Sequence, residues 1–428
     1  MKWRMRYLTM FVSALLLVTL SFVLWTSTQK KILRIGVYAG SSWDVPNSRE
    51  NRILDNIIRQ FEKSHPQVRV VYESGIPKKD YDGWLAEKIL KGEQPDVFMV
   101  PENDFSMLAA SGAFKSLDSL LSKDEVAAYY PVAYQAGQYQ GHSYALPIES
   151  NPVMMCVNKD LLEKEGVSIP NSNWTLEDLY AICQKVTKDT NGDGLIDQYG
   201  ITDYTWKQAL VAYNGHLRNQ SGVNVDSVEM HQALSFISKL DSLNQRYKVT
   251  SNDFDEGKVA FYPMSLAQYR TYKPYPYHVA KYSRFSWTCI PMPAAKAGIP
   301  ATQVKTSLFA MSSKTKQDKL AWEFMKLLCQ NQKNQQELFA KSQGTSVLTS
   351  VVKSSQTKKI LQADDLGLDS LTSQRLDHMM KHSVLDISRD LDYHSLERLD
   401  YLLGNALKNN EIDSILPSIQ REMEETGK

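Results

Sequence analysis

Oxygen-bearing side chains alternate along one short polar segment, where they could hold a hard metal ion. From residue 189 the chain reads D-T-N-G-D-G-L-I-D-Q, the spacing D-x-N-x-D-G-x-x-D. A cation such as Ca²⁺ takes roughly six to eight oxygen ligands, and a tight loop turns alternate side chains inward. Gly194 permits the sharp turn. The candidate ligands are Asp189, Asn191, Asp193, Leu195 through its carbonyl, Asp197 and Gln198.

One departure from the EF-hand pattern weakens this metal site. The twelfth position of the segment is Gly200, where an EF-hand loop supplies a bidentate glutamate. The alternative is a turn rich in Asp and Asn with no metal, because these side chains also bond to their own backbone. A bound Ca²⁺ would be structural, since the pattern leaves no open catalytic position. No other cofactor is expected.

Signatures of catalysis are missing from the sequence. It contains no GxSxG elbow, HExxH motif or P-loop, and its histidines lack metal-ligand spacing. A carboxylate pair for glycoside hydrolysis has no local signature and stays open. The formal net charge of +1 argues against a nucleic-acid partner. We expect a protein that is not an enzyme.

The four cysteines stand far apart in the sequence, at Cys156, Cys183, Cys289 and Cys329. No CxxC pair occurs, which disfavours a zinc or thioredoxin-like motif. Outside the cell they could form two bridges, but a chain of this size needs no such staples. Their apolar neighbours favour buried free thiols, and both alternatives stay open.

Short apolar runs alternate with helical periodicity and indicate a parallel sheet with crossover helices. Strands are predicted at 31–40, 68–74 and 95–102, and helices lie between them. Thr175, with Asp178 three residues later, marks the start of another helix. Ligands of such sheets bind at the carboxyl ends of the strands, here the loops at 40–46 and 101–105.

The N-terminus carries an export signal. Lys2, Arg4 and Arg6 precede an apolar run from Tyr7 to Trp25, about the length that spans a bilayer. Positive charge before the run places the rest of the chain outside the cell. No cysteine follows the run, and Thr26-Ser27-Thr28 is a weak cleavage pattern. Both an uncleaved anchor and a cleaved signal peptide stay open.

Several segments together resemble the bacterial solute-binding proteins of ABC importers, of the maltose and oligosaccharide type. The matching segments are RIGVYAGSSW, QPDVFMVPENDF, YALPIESNPVMMCVNKDLL, NWTLEDLYAICQKVTKDTNGDG, FDEGKVAFYPM and TSLFAMSSKTKQDKLAWEFMKLLC. The resemblance covers most of residues 31–350. It implies a periplasmic-binding-protein-like type II α/β fold, with two lobes that close by a hinge on a ligand between them.

The resemblance also implies a division of the chain. The expected segments are a signal anchor or peptide at 1–28, the first part of lobe 1 at 29–146, lobe 2 at 147–300, a return to lobe 1 at 301–350 and a helical segment packed on the lobes at 351–428. Some sugar-binding members of this family hold calcium on a similar loop, with an acidic residue where this chain has Gln198.

Aromatic and polar groups on the predicted loops are the candidate ligand contacts. Tryptophan planes pack on the apolar face of a sugar ring, and carboxylates accept its hydroxyls. The candidates are Trp43, Asp44, Glu102, Asn103, Glu149, Asn151, Trp206, Tyr262 and Trp287. Trp84, Trp174 and Trp322 follow helical spacing and are expected in the core. For each polar residue, helix capping or solvated loop polarity is the alternative.

The sequence therefore predicts a monomeric carbohydrate-binding subunit at the outer face of the cell membrane, which delivers its ligand to ABC-transporter permeases. A surface sensor or adhesion subunit with the same bilobal fold is the alternative, and a secreted glycan hydrolase is a weaker one. The sequence fixes neither the identity nor the charge of the ligand.

Overall fold

The structure is a computed structural model that describes residues 30–43, 50–245, 247–272, 285–364, 370–409 and 411–426. The expected N-terminal signal at 1–28 and the candidate Asp44 lie outside the described residues. Among the residues within these ranges, no helix is both long and apolar enough to cross a membrane.

Fourteen strands are found in the described part of the chain. They are β1 (Lys31–Gly36), β2 (Val68–Tyr72), β3 (Val97–Val100), β4 (Gln138–Tyr139), β5 (His142–Ser143), β6 (Ala145–Asn158), β7 (Tyr199–Ile201), β8 (Arg218–Asn219), β9 (Gly222–Val223), β10 (Val259–Ser265), β11 (Trp287–Ile290), β12 (Thr302–Met311), β13 (Thr345–Ser346) and β14 (Ser383–Leu385).

Helices connect and cover these strands. They are α1 (Glu50–Ser64), α2 (Lys78–Leu90), α3 (Phe105–Ala110), α4 (Lys123–Ala127), α5 (Pro131–Ala136), α6 (Lys159–Lys164), α7 (Leu176–Val186), α8 (Trp206–Ala212), α9 (Val228–Leu243), α10 (Ser251–Asp255), α11 (Leu266–Tyr272), α12 (Asp318–Cys329), α13 (Gln332–Lys341), α14 (Thr349–Val352), α15 (Ser355–Asp364), α16 (Ser373–Lys381), α17 (Tyr393–Asn409) and α18 (Ile412–Thr426). Two 3₁₀ helices, Glu102–Asp104 and Ile387–Asp390, add to them.

One sheet runs through both lobes in the order β2-β1-β3-β12-β6-β10-β7. Lobe 1 holds β1 to β3, and lobe 2 holds β7, β10 and β11. The strand β6 pairs with β12 along its first half and with β10 and β11 along its second half. The two lobes are therefore joined through this long strand, whose fourteen residues are almost all buried.

The strand directions bring one end of each lobe toward the other. In lobe 1, β1 and β3 are parallel, and β3 runs antiparallel to β12, with Val100 opposite Leu308. In lobe 2, β7 is parallel to β10, and β10 runs antiparallel to β6 so that Ser265 lies opposite Val153. The carboxyl ends of β1 and β3 thus point toward lobe 2, and those of β7 and β10 point toward lobe 1. Ligands of α/β sheets bind at such ends.

The local signals in the sequence are confirmed where they are strongest. β1, β2 and β3 and the helices α1 and α2 form where the apolar pattern predicts them. Thr175 and Asp178 form the reciprocal capping box of α7, which satisfies two backbone N–H groups that the helix leaves free. The predicted parallel pairing is confirmed for β1 with β2 and β3 and for β7 with β10. The central strands differ, because β6 is antiparallel to β10, β11 and β12, and β12 is antiparallel to β3.

Among the residues that the structure describes, three clusters of buried apolar side chains form the core. One fills lobe 1 between its sheet, α1 and α12, and another fills lobe 2. The third contains residues of α14 to α16 and of β10 and β11. The last two helices, α17 and α18, bury Leu399, Leu403, Leu416 and Ile419 in the lobe 2 cluster, so the chain's end is an integral part of that lobe.

Candidate functional site

The loop after β1 forms one edge of the space between the lobes. Gly40 takes a φ of +96°, a conformation that side chains disfavour, and turns the chain toward Trp43. The ammonium of Lys78, at the start of α2, donates to the Ser42 carbonyl at 2.9 Å. Trp43 is 8% exposed, so its indole is largely covered rather than open to a ligand.

Glu149 is a buried carboxylate on β6, in the lobe 1 half of that strand. It accepts hydrogen bonds from the Ser342 hydroxyl and from the Gly344 N–H at 2.8 Å. Burial raises the pKa of Glu149, whereas these bonds, the nearby Trp43 indole and the charge of Arg270 lower it. A Cβ at position 344 would lie 2.5 Å from the Glu149 Oε1 atom, so the contact requires glycine.

Arg270, on α11 of lobe 2, is the cation that faces Glu149. Its Nη1 donates to the Gly344 carbonyl at 2.9 Å, and its Nη2 lies 3.4 Å from the Asp364 carboxylate. Burial lowers the pKa of this guanidinium, and the two carboxylates oppose that shift. Glu149 therefore belongs to a buried ionic network between β6 and α11, and its hydrogen bonds from Ser342 and Gly344 both fall on the Oε1 atom. It is buried, whereas the sequence predicted an exposed loop position.

The loop after β3 forms the second edge of the interlobe space. It contains the 3₁₀ helix Glu102–Asp104, which packs against the 3₁₀ helix Ile387–Asp390 from the far end of the chain. Arg389 lies between the lobes: its guanidinium is 5.6 Å from the centre of the Phe105 ring, and its Nη2 donates to the Ala136 carbonyl at 3.2 Å. Ile387 and Leu391, on either side of Arg389, are buried in the lobe 2 core.

Carboxylates of both lobes meet beside this contact. Asp104 of lobe 1 is half-buried, and burial raises its pKa to about 6, helped by the negative charges of Asp82 and Asp392. Asp392 immediately precedes α17, whose first residue, Tyr393, is 61% exposed. This region offers carboxylate acceptors, a guanidinium and open aromatic surface, the groups that hold hydroxyl-rich ligands.

The carboxyl end of β7 contributes a further acidic group. Asp203 follows this strand with a φ of 54°, and burial raises its pKa while Lys248 opposes the rise. Arg218 fixes the segment that carries Arg389, because its Nε donates to the Asp390 carbonyl at 3.2 Å. Asp203, Arg389, Asp392 and Tyr393 were not among the predicted ligand residues. A polar residue directly after a strand could have identified Asp203, but the last three lie in a tail with only a generic helical pattern.

Trp206 and Trp287 lie inside lobe 2. Trp206 starts α8, and its Nε1 donates to the Asp400 carboxylate of α17 at 2.8 Å. Trp287 is 2% exposed, and its ring centre lies 5.4 Å from that of Tyr269. Both indoles are thus engaged by protein groups, and the structure does not bring them to the interlobe surface as the sequence analysis expected.

Of the remaining predicted contacts, some are buried inside the protein and others lie at the interlobe surface. Asn151 is buried, and its Oδ1 accepts the Ala267 N–H at 2.9 Å, which ties the start of α11 to β6. Tyr262 is buried against Phe254, with ring centres 5.3 Å apart. Glu102 and Asn103 lie in the 3₁₀ helix at the end of β3, which is the expected position at the interlobe surface.

The polar loop of the predicted calcium site is closed by its own hydrogen bonds. Asp189 accepts the N–H groups of Asn191, Gly192 and Gly194 at 3.0, 2.6 and 2.7 Å, and this lowers its pKa. Asp197 accepts the Thr190 N–H at 2.8 Å. In the described part of the chain, no three His, Cys, Asp or Glu side chains converge as a metal cluster would require.

Gln198 does not face this loop. Its amide nitrogen donates to Glu165 at 2.9 Å and to the Val186 carbonyl at 2.8 Å, and its oxygen accepts from Lys164. The predicted role of Gln198 as a metal ligand is therefore wrong in this conformation. The other candidate oxygens keep unused lone pairs, so the loop fits a cation if its side chains draw together.

Two lobes that share a sheet and present their strand ends to each other define a binding protein with an interlobe cleft. The model of a family described as bacterial extracellular solute-binding protein matches residues 56–364, which is more than half of the chain. The chain belongs to this family, whose members bind solutes.

Individual relatives are distant. The maltotriose-binding protein of Pyrococcus abyssi is 25% identical over 138 residues, which cover 32% of this chain and only 30% of that protein. A protein of Brucella abortus is 24% identical over 292 residues, 65% of this chain and 68% of that protein.

Solved structures share the fold over almost the whole chain. The sugar-binding protein MalE of Xanthomonas citri has a TM-score of 0.74 at 15% identity, over 92% of this chain and 97% of that one. An ABC substrate-binding protein of Listeria monocytogenes, in complex with cycloalternan, has a TM-score of 0.64 at 19% identity, over 93% and 99%.

Proposed function

We propose that this protein captures an oligosaccharide in the cleft between its lobes and delivers it to the permeases of an ABC importer. The observation that carries the proposal is the set of groups from both lobes beside the carboxyl end of β3: Asp104 of lobe 1 with Arg389, Asp392 and Tyr393 of lobe 2. The contact of Arg389 with Phe105 holds the two sides together there. Such a cleft suits a ligand that bridges the lobes and stabilises their closure.

A sugar fits this chemistry. Carboxylates and a guanidinium form directed hydrogen bonds with ring hydroxyls, and an open tyrosine face packs on the C–H face of a ring. Relatives with named ligands point the same way, since they bind maltotriose and cycloalternan. The protein would release its ligand chemically unchanged, in keeping with a family of binding proteins.

Export completes the proposal. The apolar segment at 7–25 would carry the protein through the membrane and either hold it at the outer face or be removed. The protein would work there as a monomer, because the two lobes of one chain supply both sides of the cleft. The loop from Asp189 to Asp197 would hold a structural Ca²⁺ that fixes the turn before β7.

Titration calorimetry with maltotriose, maltotetraose and cycloalternan tests the binding function. We expect one site per chain. Tyr393→Ala should raise Kd by about tenfold or more, because loss of an aromatic contact that contributes about 1.4 kcal/mol changes Kd tenfold. Tyr401→Ala is the matched control, because Tyr401 is 62% exposed on the same helix, two turns from the cleft. Equal affinity for the two variants would remove Tyr393 from the site, and no binding of any glycan by the wild type would reject the carbohydrate class.

A further inference from the structure

Two of the four cysteines face each other inside lobe 2. Cys156 on β6 and Cys289 on β11 are directly opposite in the antiparallel register, and their sulfur atoms are 3.6 Å apart. Both side chains are completely buried. Cys183 and Cys329 are also buried, but no contact of their sulfurs with another cysteine is seen in the described part of the chain.

The hydrogen bonds of the strands show which kind of cross-strand pair the two cysteines occupy. Lys159 donates its N–H to the Ser286 carbonyl, so the positions 159 and 286 form a hydrogen-bonded pair. Pair types alternate along an antiparallel ladder, and the pair 156 and 289 is three steps further on. It is therefore a non-hydrogen-bonded pair. In agreement, the Cys289 N–H donates away from β6, to the Ser370 carbonyl at 2.9 Å.

Non-hydrogen-bonded pairs bring backbones closest, with Cα atoms about 4.5 Å apart, which lies inside the range of about 4.4–6.8 Å that disulfides tolerate. The two sulfurs are already in van der Waals contact, so rotation of the side chains is enough to bring them to bonding distance. The strands need not move apart or change register.

We propose that Cys156 and Cys289 form a disulfide bond in the exported protein. The thiolate of one cysteine attacks an external disulfide, either a small molecule such as oxidised glutathione or that of a thiol oxidase, and displaces one thiol. The second cysteine then attacks the mixed disulfide and displaces the other thiol. Two cysteine thiols are oxidised, and one external disulfide is reduced to two thiols.

The compartment and the burial decide when this bond forms. An extracellular protein meets an oxidising environment in which disulfides persist. Since both sulfurs are inaccessible in the folded chain, the exchange takes place before the core around β11 closes. Once formed, the bond links positions 133 residues apart, and burial then protects it from reductants.

The disulfide would attach β11 to β6, the strand that joins the lobes. Cys156 lies on the lobe 2 half of β6, and the sulfur of Met264, on the neighbouring β10, is 4.0 Å from its sulfur. A disulfide would fasten β11 to this strand covalently. Unfolding of lobe 2 would then have to begin elsewhere, and the melting temperature of the oxidised protein should exceed that of the reduced protein.

The full chain should be refolded in a glutathione redox buffer and analysed by intact mass and by maleimide labelling in guanidinium chloride. The wild type should lose the mass of two hydrogen atoms and label two of its four cysteines, and peptide mapping should link Cys156 to Cys289. The matched control Cys183→Ala/Cys329→Ala should lose the same mass and label none. The variant Cys156→Ala/Cys289→Ala should keep its mass and label both remaining thiols.

Reduction in guanidinium chloride followed by refolding without oxidant provides the second readout. It should lower the melting temperature of the wild type and of the Cys183→Ala/Cys329→Ala variant, and leave that of Cys156→Ala/Cys289→Ala unchanged. Labelling of all four thiols in the oxidised wild type would overturn the proposal. A linked peptide that joins any other two cysteines would overturn it as well.

Discussion

Replacing Asp104 by asparagine should stabilise the protein at neutral pH and remove part of its pH dependence. Burial, with the charges of Asp82 and Asp392, raises the pKa of Asp104 to about 6 from an ordinary value of 3.8. The folded state therefore binds more protons than the unfolded state between these two values. Stability contributed by this group is present below about pH 4 and is lost as the pH rises through 6.

The size of the effect follows from the shift. A difference of about two pKa units corresponds to about 3 kcal/mol. Because Asp104 is only half-buried, solvent screening reduces this to about 1–2 kcal/mol of unfolding free energy. Asp104→Asn removes the charge and keeps the shape, so at pH 7.5 the variant should be more stable than the wild type by about that amount.

Urea unfolding of both proteins between pH 4 and pH 8 measures the difference directly, since titrating groups that do not interact with Asp104 contribute equally to the two curves. The difference should be close to zero near pH 4 and should grow through pH 6. Asp80→Asn is the control, because Asp80 is an exposed carboxylate on α2 of the same lobe. A difference that does not vary with pH would refute the argument that Asp104 is destabilised as an anion.

Three other predictions concern separate parts of the molecule. Gly344→Ala should lower the free energy of unfolding by about 2 kcal/mol or more, because a Cβ there meets the Glu149 carboxylate at 2.5 Å. Gly404→Ala on α17 is the control, since a Cβ there has open space and should not lower the free energy of unfolding. Chemical denaturation of the two variants tests the difference. Calcium should raise the melting temperature, EGTA should reverse the rise, and Asp193→Ala should abolish both responses. If calcium does not change the melting temperature, the loop is a turn without a metal site. Cell fractionation with N-terminal sequencing should find the chain retained at the outer face of the membrane, and a soluble product that begins near Gln29 would contradict an uncleaved anchor.

The sequence alone determined the local structure and the family. Apolar runs and helical periodicity predict β1 to β3, α1, α2 and α7, because burial of a periodic apolar face and the capping of a helix end are decided by neighbours a few residues away. The alternation of these elements predicted a parallel α/β sheet, the resemblance of the segments to solute-binding proteins implied two lobes with a cleft, and the family match confirms the class of protein.

Only the tertiary structure decided which aromatic and charged groups reach the cleft. Three tryptophans were expected in the core, and of these Trp174 is buried, whereas Trp84 and Trp322 are only half-buried. Trp206 and Trp287 were expected to meet a ligand, yet both are more deeply buried than Trp84 and Trp322. The spacing of residues in the sequence indicates that a side chain lies on an apolar face. It does not indicate which part of the chain packs against that face.

The covering groups come from remote parts of the chain. Asp400 binds Trp206 from 194 residues away, and Arg389 reaches the Ala136 carbonyl from 253 residues away. Such contacts depend on how the last helices pack against the sheet, which no local pattern encodes. The C-terminal tail, uninformative as a sequence, therefore places Arg389 against Phe105 and Asp392 near Asp104, because the burial of α17 and α18 in lobe 2 carries this segment there.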